Sequence, residues 1–284
     1  MQRFLECGRF RFPLGAAHDK PLVMGILNVT PDSFSDGGSY ATLDAIISRA
    51  EQMVGEGADL IDIGGESSRP GAEPVSVEEE LKRVIPVVYA LQGLNVPLSV
   101  DTTKPVVMRE AIAAGADMIN DINGFRAEGA IEAVTDKLCA LCIMHMQNQP
   151  LTMQAAPQYD DPVAEVTDFL RERVYVMTRA GISRGRMAID PGFGFGKTME
   201  HNLLLLDSVD WIQEALDLPL LAGLSRKSMI GTITGKPVDQ RQAGSLAAAL
   251  YAAAKGAKIL RVHDVGATVD ALKVWRAATT STTK

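Results

Sequence analysis

Polar residues able to do chemistry stand in short clusters, each at the end of an apolar run. Asp101 ends Leu98-Ser99-Val100, and Asn120-Asp121 sit late in Met118–Ile122. Asp190-Pro191-Gly192-Phe193-Gly194-Phe195-Gly196-Lys197 follows Met187–Ile189. Ser225-Arg226-Lys227-Ser228 follows Leu218–Leu221, and Arg261-Val262-His263-Asp264 ends the last run. Asn28 opens a loop running to Gly38, and Ser68 and Arg69 lie in the Gly64–Gly71 loop. Asp101, Asn120 and Asp190 offer carboxylate and amide groups that pair bidentately with a flat amino-pyrimidinone edge. Lys227 and Arg261 can donate to ring oxygen or nitrogen, and Arg can stack on a π face. Asn28, Ser68, Arg69, Arg261 and His263 form a second set suited to phosphate oxygens and a divalent cation.

Simpler roles account for several neighbours. Strand periodicity points Asp121 and Asp264 away from Asn120 and His263, which makes them structural. Gly192–Thr198 is not a phosphate loop, because Gly192 stands four positions before Gly196 where that motif needs five. His145, between Met144 and Met146, reads as a wall histidine. Cys139 and Cys142 have C-x-x-C spacing inside an apolar run with no second pair. With Cys7 they read as buried thiols of a reducing cytosol.

The elements that must position these groups follow one rhythm. Eight short, nearly continuous apolar runs predict parallel strands covered on both faces: Leu22–Leu27, Leu60–Ile63, Leu98–Val100, Met118–Ile122, Ala140–Met144, Met187–Ile189, Leu218–Leu221 and Ile259–Val262. Helical spacing fills the gaps, at Leu43–Val54, Val77–Leu91, Val106–Ala113, Ala130–Leu138, Pro162–Ala180, Met199–Leu216, Ala243–Ala254 and Ala267–Ala277. The pattern predicts an α/β chain, a single (β/α)8 TIM barrel over 21–284, whose site lies at the C-terminal strand ends. Residues 1–20 form an extension in which Phe4 to Phe12 predicts a hairpin plugging the barrel bottom. Gly57-Ala58-Asp59, Gly115-Ala116-Asp117 and Gly256-Ala257-Lys258 repeat a helix-to-strand junction.

Composition sets the outer bounds. The 284 residues suit one barrel-sized domain. The formal charge of −7 argues against non-specific binding to nucleic acid or anionic membranes. The longest apolar stretch, Leu246–Ala254, is far short of a span, so a soluble, cytoplasmic chain is expected.

Taken in order, the Asn28–Gly38 loop, the Gly64–Gly71 loop, Ser99-Val100-Asp101-Thr102, Ile119-Asn120-Asp121, Asp190–Lys197, Ser225–Ser228 and Arg261–Asp264 resemble the bacterial dihydropteroate synthase family. The resemblance runs from Leu22 to the C-terminus; Ser68 stands where the family more often has Thr. It implies condensation of 4-aminobenzoate with 6-hydroxymethyl-7,8-dihydropterin pyrophosphate in folate biosynthesis, with Mg²⁺ assisting pyrophosphate binding. Asp101, Asp190, Lys227 and Arg261 would be the catalytic set, and with Asn120 they would hold the pterin. Asn28, as metal ligand, with Ser68, Arg69, Arg261 and His263, would hold pyrophosphate. Phe34, Pro70, Phe195 and Ser228 would frame the aminobenzoate. The resemblance further implies a homodimer and a sulfonamide target. Three alternatives compete: a pterin-binding methyltransferase domain, a Schiff-base lyase using Lys227, and a non-catalytic pterin-binding relic. The Asn28, Arg69 and His263 phosphate set disfavours the first.

Overall fold

The computed structural model describes residues 4–14, 20–29, 39–67, 71, 73–147, 153 and 157–281. β1 (Phe4–Cys7) and β2 (Phe10–Pro13) form an antiparallel hairpin. The barrel strands are β3 (Leu22–Asn28), β4 (Leu60–Gly64), β5 (Leu98–Asp101), β6 (Met118–Asp121), β7 (Ala140–Met144), β8 (Met187–Asp190), β9 (Leu221–Ala222) and β10 (Ile259–Val262). They pair in parallel in the order β8-β7-β6-β5-β4-β3-β10-β9, and an Ile189–Leu220 bridge closes the ring. The expected (β/α)8 barrel with an N-terminal hairpin is the fold observed.

The surrounding helices are α1 (Ser39–Gly55), α2 (Val77–Leu91), α3 (Pro105–Ala113), α4 (Ala130–Val134), α5 (Pro162–Arg179), α6 (Met199–Asp207), α7 (Val209–Leu216), α8 (Ser228–Thr234), α9 (Gln242–Ala254) and α10 (Val265–Ser281). Local chemistry explains their starts. Asp161 accepts from the amides of Val163 and Ala164, and Pro162 occupies the first turn of α5. Ser76 caps α2 through the Glu79 amide, with Glu78, Glu79 and Glu80 in the first turn. Each helix then buries one stripe; in α5 it is Val166, Leu170, Val174 and Met177.

Three details depart from the sequence reading, the simplest being that the helix expected over Ala130–Leu138 stops at Val134. The helix expected over Met199–Leu216 is two helices, because the Ser208 amide is shared between the Leu204 and Leu205 carbonyls and ends the first. The seventh strand is shorter and later than Leu218–Leu221. Pro219 has no amide to pair, and only Leu221–Ala222 forms a ladder with β10.

Two apolar layers result. The outer one lies between strands and helices. The inner one fills the barrel floor with Met24, Leu60, Met118, Ala140, Cys142, Ala188, Leu221 and Ile259. Leu5 and Cys7 of the hairpin complete that floor, so the hairpin plugs the barrel bottom. Arg9 at the hairpin turn reaches Asp117, with a backbone bond of 3.1 Å and side-chain bonds of 3.0 and 2.9 Å. Side chains alternate along a strand, so residues two positions beyond the floor layer face the open end.

Candidate active site at the strand ends

Strand register assembles the polar row. Asn28 pairs with Gly64, Gly64 with Asp101, and Asp101 with Asn120, placing four neighbouring strands level at the mouth. Asp190 pairs with Met144 on the far side. Arg261 follows Ile259 of the floor by two positions, so its side chain rises into the mouth. Its Nε donates to Asp62 Oδ2 at 2.6 Å, and its Nη2 donates to Asp101 Oδ2 at 2.9 Å. Asn120 Nδ2 donates to the same Asp62 oxygen at 3.3 Å. The guanidinium is thus held in one plane by two carboxylates.

Asp62 was missed in the sequence reading. Its signal was a carboxylate amid Leu60-Ile61-Asp62-Ile63, an otherwise apolar strand. The residue is fully buried, yet its Oδ1 has no hydrogen-bond partner. Asn120 Oδ1 and Ser99 Oγ on the neighbouring strands share that state among the described residues, as does Glu80 Oε1 on α2. Buried polar atoms are nearly always paired in native proteins, so three orphans on the adjacent strands β4, β5 and β6 point to where ligand atoms belong.

The loop after β8 carries Asp190. Its Oδ1 accepts from the Gly192 amide at 2.7 Å, while Oδ2 faces Gly223. Gly192 has φ of +72°, and a Cβ there would stand 1.9 Å from the His145 carbonyl oxygen, so no other residue fits. Lys227 Nζ lies 4.1 Å from the centroid of the Phe195 ring. Lys227 follows Arg226, whose φ of +59° is a strained conformation for a side chain of that size. That conformation is fixed from several sides. Ser245 Oγ accepts the Arg226 amide, Asp264 takes its guanidinium in two bonds, and Arg241 binds the Arg226 carbonyl.

Asp121 and Asp264 are structural, in keeping with their predicted orientation. Asp121 accepts from the amides of Asn123 and Phe125, and Asp264 pairs with Arg226. His263 Nδ1 lies 2.9 Å from Ser225 Oγ, so Ser225 orients the imidazole. Ser228 is exposed and begins α8, and Phe195 is buried. Phe34, Ser68, Arg69 and Pro70 lie outside the described residues. Cys7, Cys139 and Cys142 are free and buried, the last two in different apolar layers.

Burial sets the electrostatics. It raises the Asp101 carboxyl above the usual range; Arg261 opposes this, while Asp62, Asp121 and Glu80 add to it. Burial likewise raises Asp190, against the Gly192 amide and Lys227. Burial lowers the Lys227 ammonium to about 8, with Asp190 opposing. For Arg261 burial acts downward, but Asp62 and Asp101 outweigh it and the group stays protonated. The mouth is therefore a field of carboxylates around two cations. It is suited to a flat, amino-bearing ring on which positive charge develops.

A TIM barrel with this row at its strand ends is the scaffold of the pterin-binding enzymes. The pattern of the family described as "Pterin binding enzyme" matches residues 24–263. The dihydropteroate synthase of Haemophilus influenzae is 53% identical over 258 residues, covering 90% of this chain and 94% of that one. The Xanthomonas albilineans dihydropteroate synthase, solved with 4-aminobenzoic acid, superposes with a TM-score of 0.90 at 53% identity, over 98% of this chain and 99% of that one. The Burkholderia cenocepacia dihydropteroate synthase complexed with 7,8-dihydropteroate gives 0.88 at 52% identity, over 98% and 97%. The chain belongs to the dihydropteroate synthase family, a family of transferases.

Proposed function

We propose that this chain joins 4-aminobenzoate to 6-hydroxymethyl-7,8-dihydropterin pyrophosphate, releasing 7,8-dihydropteroate and pyrophosphate. The observation that carries this reading is the pair of buried, unpartnered oxygens on Asp62 and Asn120, set beside Asp101, Asp190, Lys227 and Arg261. Asn120 and Asp190 take the amino edge of the pterin, with Asp62 behind Asn120. Lys227 donates to the ring carbonyl and ring nitrogen. Arg261, kept planar by Asp62 and Asp101, lies against the ring face and also reaches a phosphate oxygen.

The carbon–oxygen bond to pyrophosphate breaks first, and the pyrophosphate keeps the electron pair. Asp101 and Asp190 stabilise the cation left on the methylene conjugated to the ring. The arylamine nitrogen then bonds to that carbon and gives up a proton. An arylamine is a weak nucleophile, so catalysis rests on making the electrophile rather than on a strong base. Phe195, Ser228, Phe34 and Pro70 frame the aminobenzoate.

Asn28, His263, Ser68 and Arg69 receive the pyrophosphate. Among the described residues no cluster of three His, Cys, Asp or Glu side chains could hold a metal ion. Asn28, beside Gly64, supplies one hard oxygen at the mouth. Asn28 would hold a Mg²⁺ there together with pyrophosphate oxygens, a donor chemistry that suits a hard cation. When bound, Mg²⁺ would neutralise charge on the leaving group.

A homodimer is the assembly proposed. α6, α8 and α9 pack together and expose Leu203, Ile233 and Tyr251, and α7 exposes Trp211. The buried free thiols fit a cytoplasmic, reducing setting, and no helix among the described residues is long and apolar enough to cross a membrane.

Turnover tests the reading directly. Protein, Mg²⁺ and both substrates should give dihydropteroate and pyrophosphate in equal amounts. Pyrophosphate without dihydropteroate would overturn the amine site; neither product with pterin still bound would restore the methyltransferase or relic reading.

A further inference from the structure

Lys197 is a charged residue buried to 3% exposure, and the reaction above gives it no role. Its amine, whose pKa burial lowers to about 7 with Asp190 opposing, sits inside the loop that follows β8. Nζ donates to the Gly192 carbonyl at 2.9 Å and the Phe195 carbonyl at 3.0 Å, and lies 2.9 Å from His145 Nδ1. With the more distant His145 carbonyl at 3.5 Å, four acceptors surround the group. The arrangement inverts a phosphate loop: carbonyls rather than amides point inward, and the chain supplies its own cation. His145 is held as a neutral acceptor, since burial first, and then Lys197, depress its pKa to about 2.

The two functional residues of this loop depend on it unequally. Asp190 ends a strand, and its carbonyl accepts the His145 amide at 3.0 Å, so the sheet fixes its backbone, and only its carboxylate meets the loop, at the Gly192 amide. Phe195 has no strand partner. Its carbonyl is bound by Lys197, and the loop around it is tied by Asn202 to the Gly194 amide and by Tyr159 to the Gly196 carbonyl. The Phe195 ring in turn backs Lys227.

We infer that Lys197 is a positioning residue for the amine substrate: its ammonium, seated in a ring of loop carbonyls and His145, sets the Phe195 ring against Lys227. This rests on the proposed synthase reading, in which Phe195 frames the aminobenzoate.

Lys197→Met removes the ammonium and keeps a chain of similar length. The expected result is a rise of about tenfold or more in KM for 4-aminobenzoate, the scale of a lost charge-assisted hydrogen bond. Dihydropterin pyrophosphate affinity, measured by titration calorimetry, should change by less than about threefold. His145→Leu, which removes the ring acceptor and leaves the amine of Lys197, should raise the same KM by a few fold and provides the test if Lys197→Met does not fold. Lys197→Met on a Phe195→Ala background should add little, because the two act through one contact. Equal losses for both substrates, additive effects with Phe195→Ala, or an unchanged KM in His145→Leu would overturn the inference. Wild type assayed alongside separates the two failures. If it makes no dihydropteroate, the synthase reading falls, and a crystal structure of Lys197→Met with the Phe195 ring unmoved would then overturn the brace.

Discussion

Both ends of the barrel bury carboxylates, but they treat them differently. At the floor, Asp117 accepts the Arg9 amide, Arg9 Nε, Arg9 Nη2 and the Leu98 amide, all within 3.1 Å. Every lone pair has a use, and the hairpin is locked to the barrel. At the mouth, Asp62 gathers its donors on Oδ2 alone and leaves Oδ1 bare, and Asn120 leaves its carbonyl bare beside it. The same residue type is structural where it is saturated and poised for a ligand where it is not. Between Asp117 and Asp62, burial separates nothing; satisfaction does.

The contrast is broken most severely by Asp190→Ala. Truncating one partner of a buried polar recognition pair costs on the order of hundredfold in affinity. Dihydropterin pyrophosphate binding should fall by that much in a calorimetric titration. The melting temperature should change little, because relief of a buried carboxylate whose pKa burial raises is offset by the Gly192 amide left unpaired. Wild-type affinity in this variant would remove the centre of the site. Asp117→Ala should do the reverse. It leaves the buried Leu98 amide unpaired and should cost about 2 kcal/mol in denaturant unfolding. Its kcat/KM at 25 °C should equal wild type, and a selective loss of turnover would show that the floor is coupled to the mouth.

The sequence showed the floor and the strand ends more clearly than the middle layer between them. Continuous apolar runs such as Ala140–Met144 need burial on both faces, which only a covered parallel sheet supplies. Asp101 and Asp190 stand at the ends of such runs, where the barrel topology alone assigns them to the mouth, and Asn120 was visible as part of the polar Asn120-Asp121 pair. Asp62 sits mid-strand, and its role depends on which alternate residues face inward, a parity set by pairing with Ser99 across β4 and β5. Lys197 was harder still. Its partner His145 is 52 residues away, and the glycine spacing around it suggested a phosphate rather than an inward-turned ammonium. The α6–α7 break depends on one shared amide, which no apolar period encodes.

A smaller effect sharpens the mouth's electrostatics. Lys227 faces Asp190 and Asp101, which favour its charge, and Arg261, which opposes it; burial is the largest influence and brings it to about 8. The ammonium is present below that pH and lost above it. Pterin affinity should therefore fall by up to about tenfold as pH rises through 8, since charged hydrogen bonds are roughly twice as strong as neutral ones. In Lys227→Met the affinity should be lower and lack that inflection; an inflection that persists would belong to another group or to the ligand.

The smallest expected change is at Ser99. Its hydroxyl is fully buried, points into the barrel and has no partner among the described residues. If the empty mouth carries unsatisfied groups at a cost to folding, removing a neutral one should relieve it. Ser99→Ala should leave unfolding free energy unchanged or raise it by up to about 1 kcal/mol. Pterin affinity then decides what the hydroxyl does. Unchanged affinity makes Ser99 a spectator beneath the ring, and the orphaned group narrows to Asp62 and Asn120. A several-fold loss makes it a third ligand contact. A clear loss of stability would contradict the comparison itself, because the hydroxyl would have to be satisfied already, as Asp117 is at the floor.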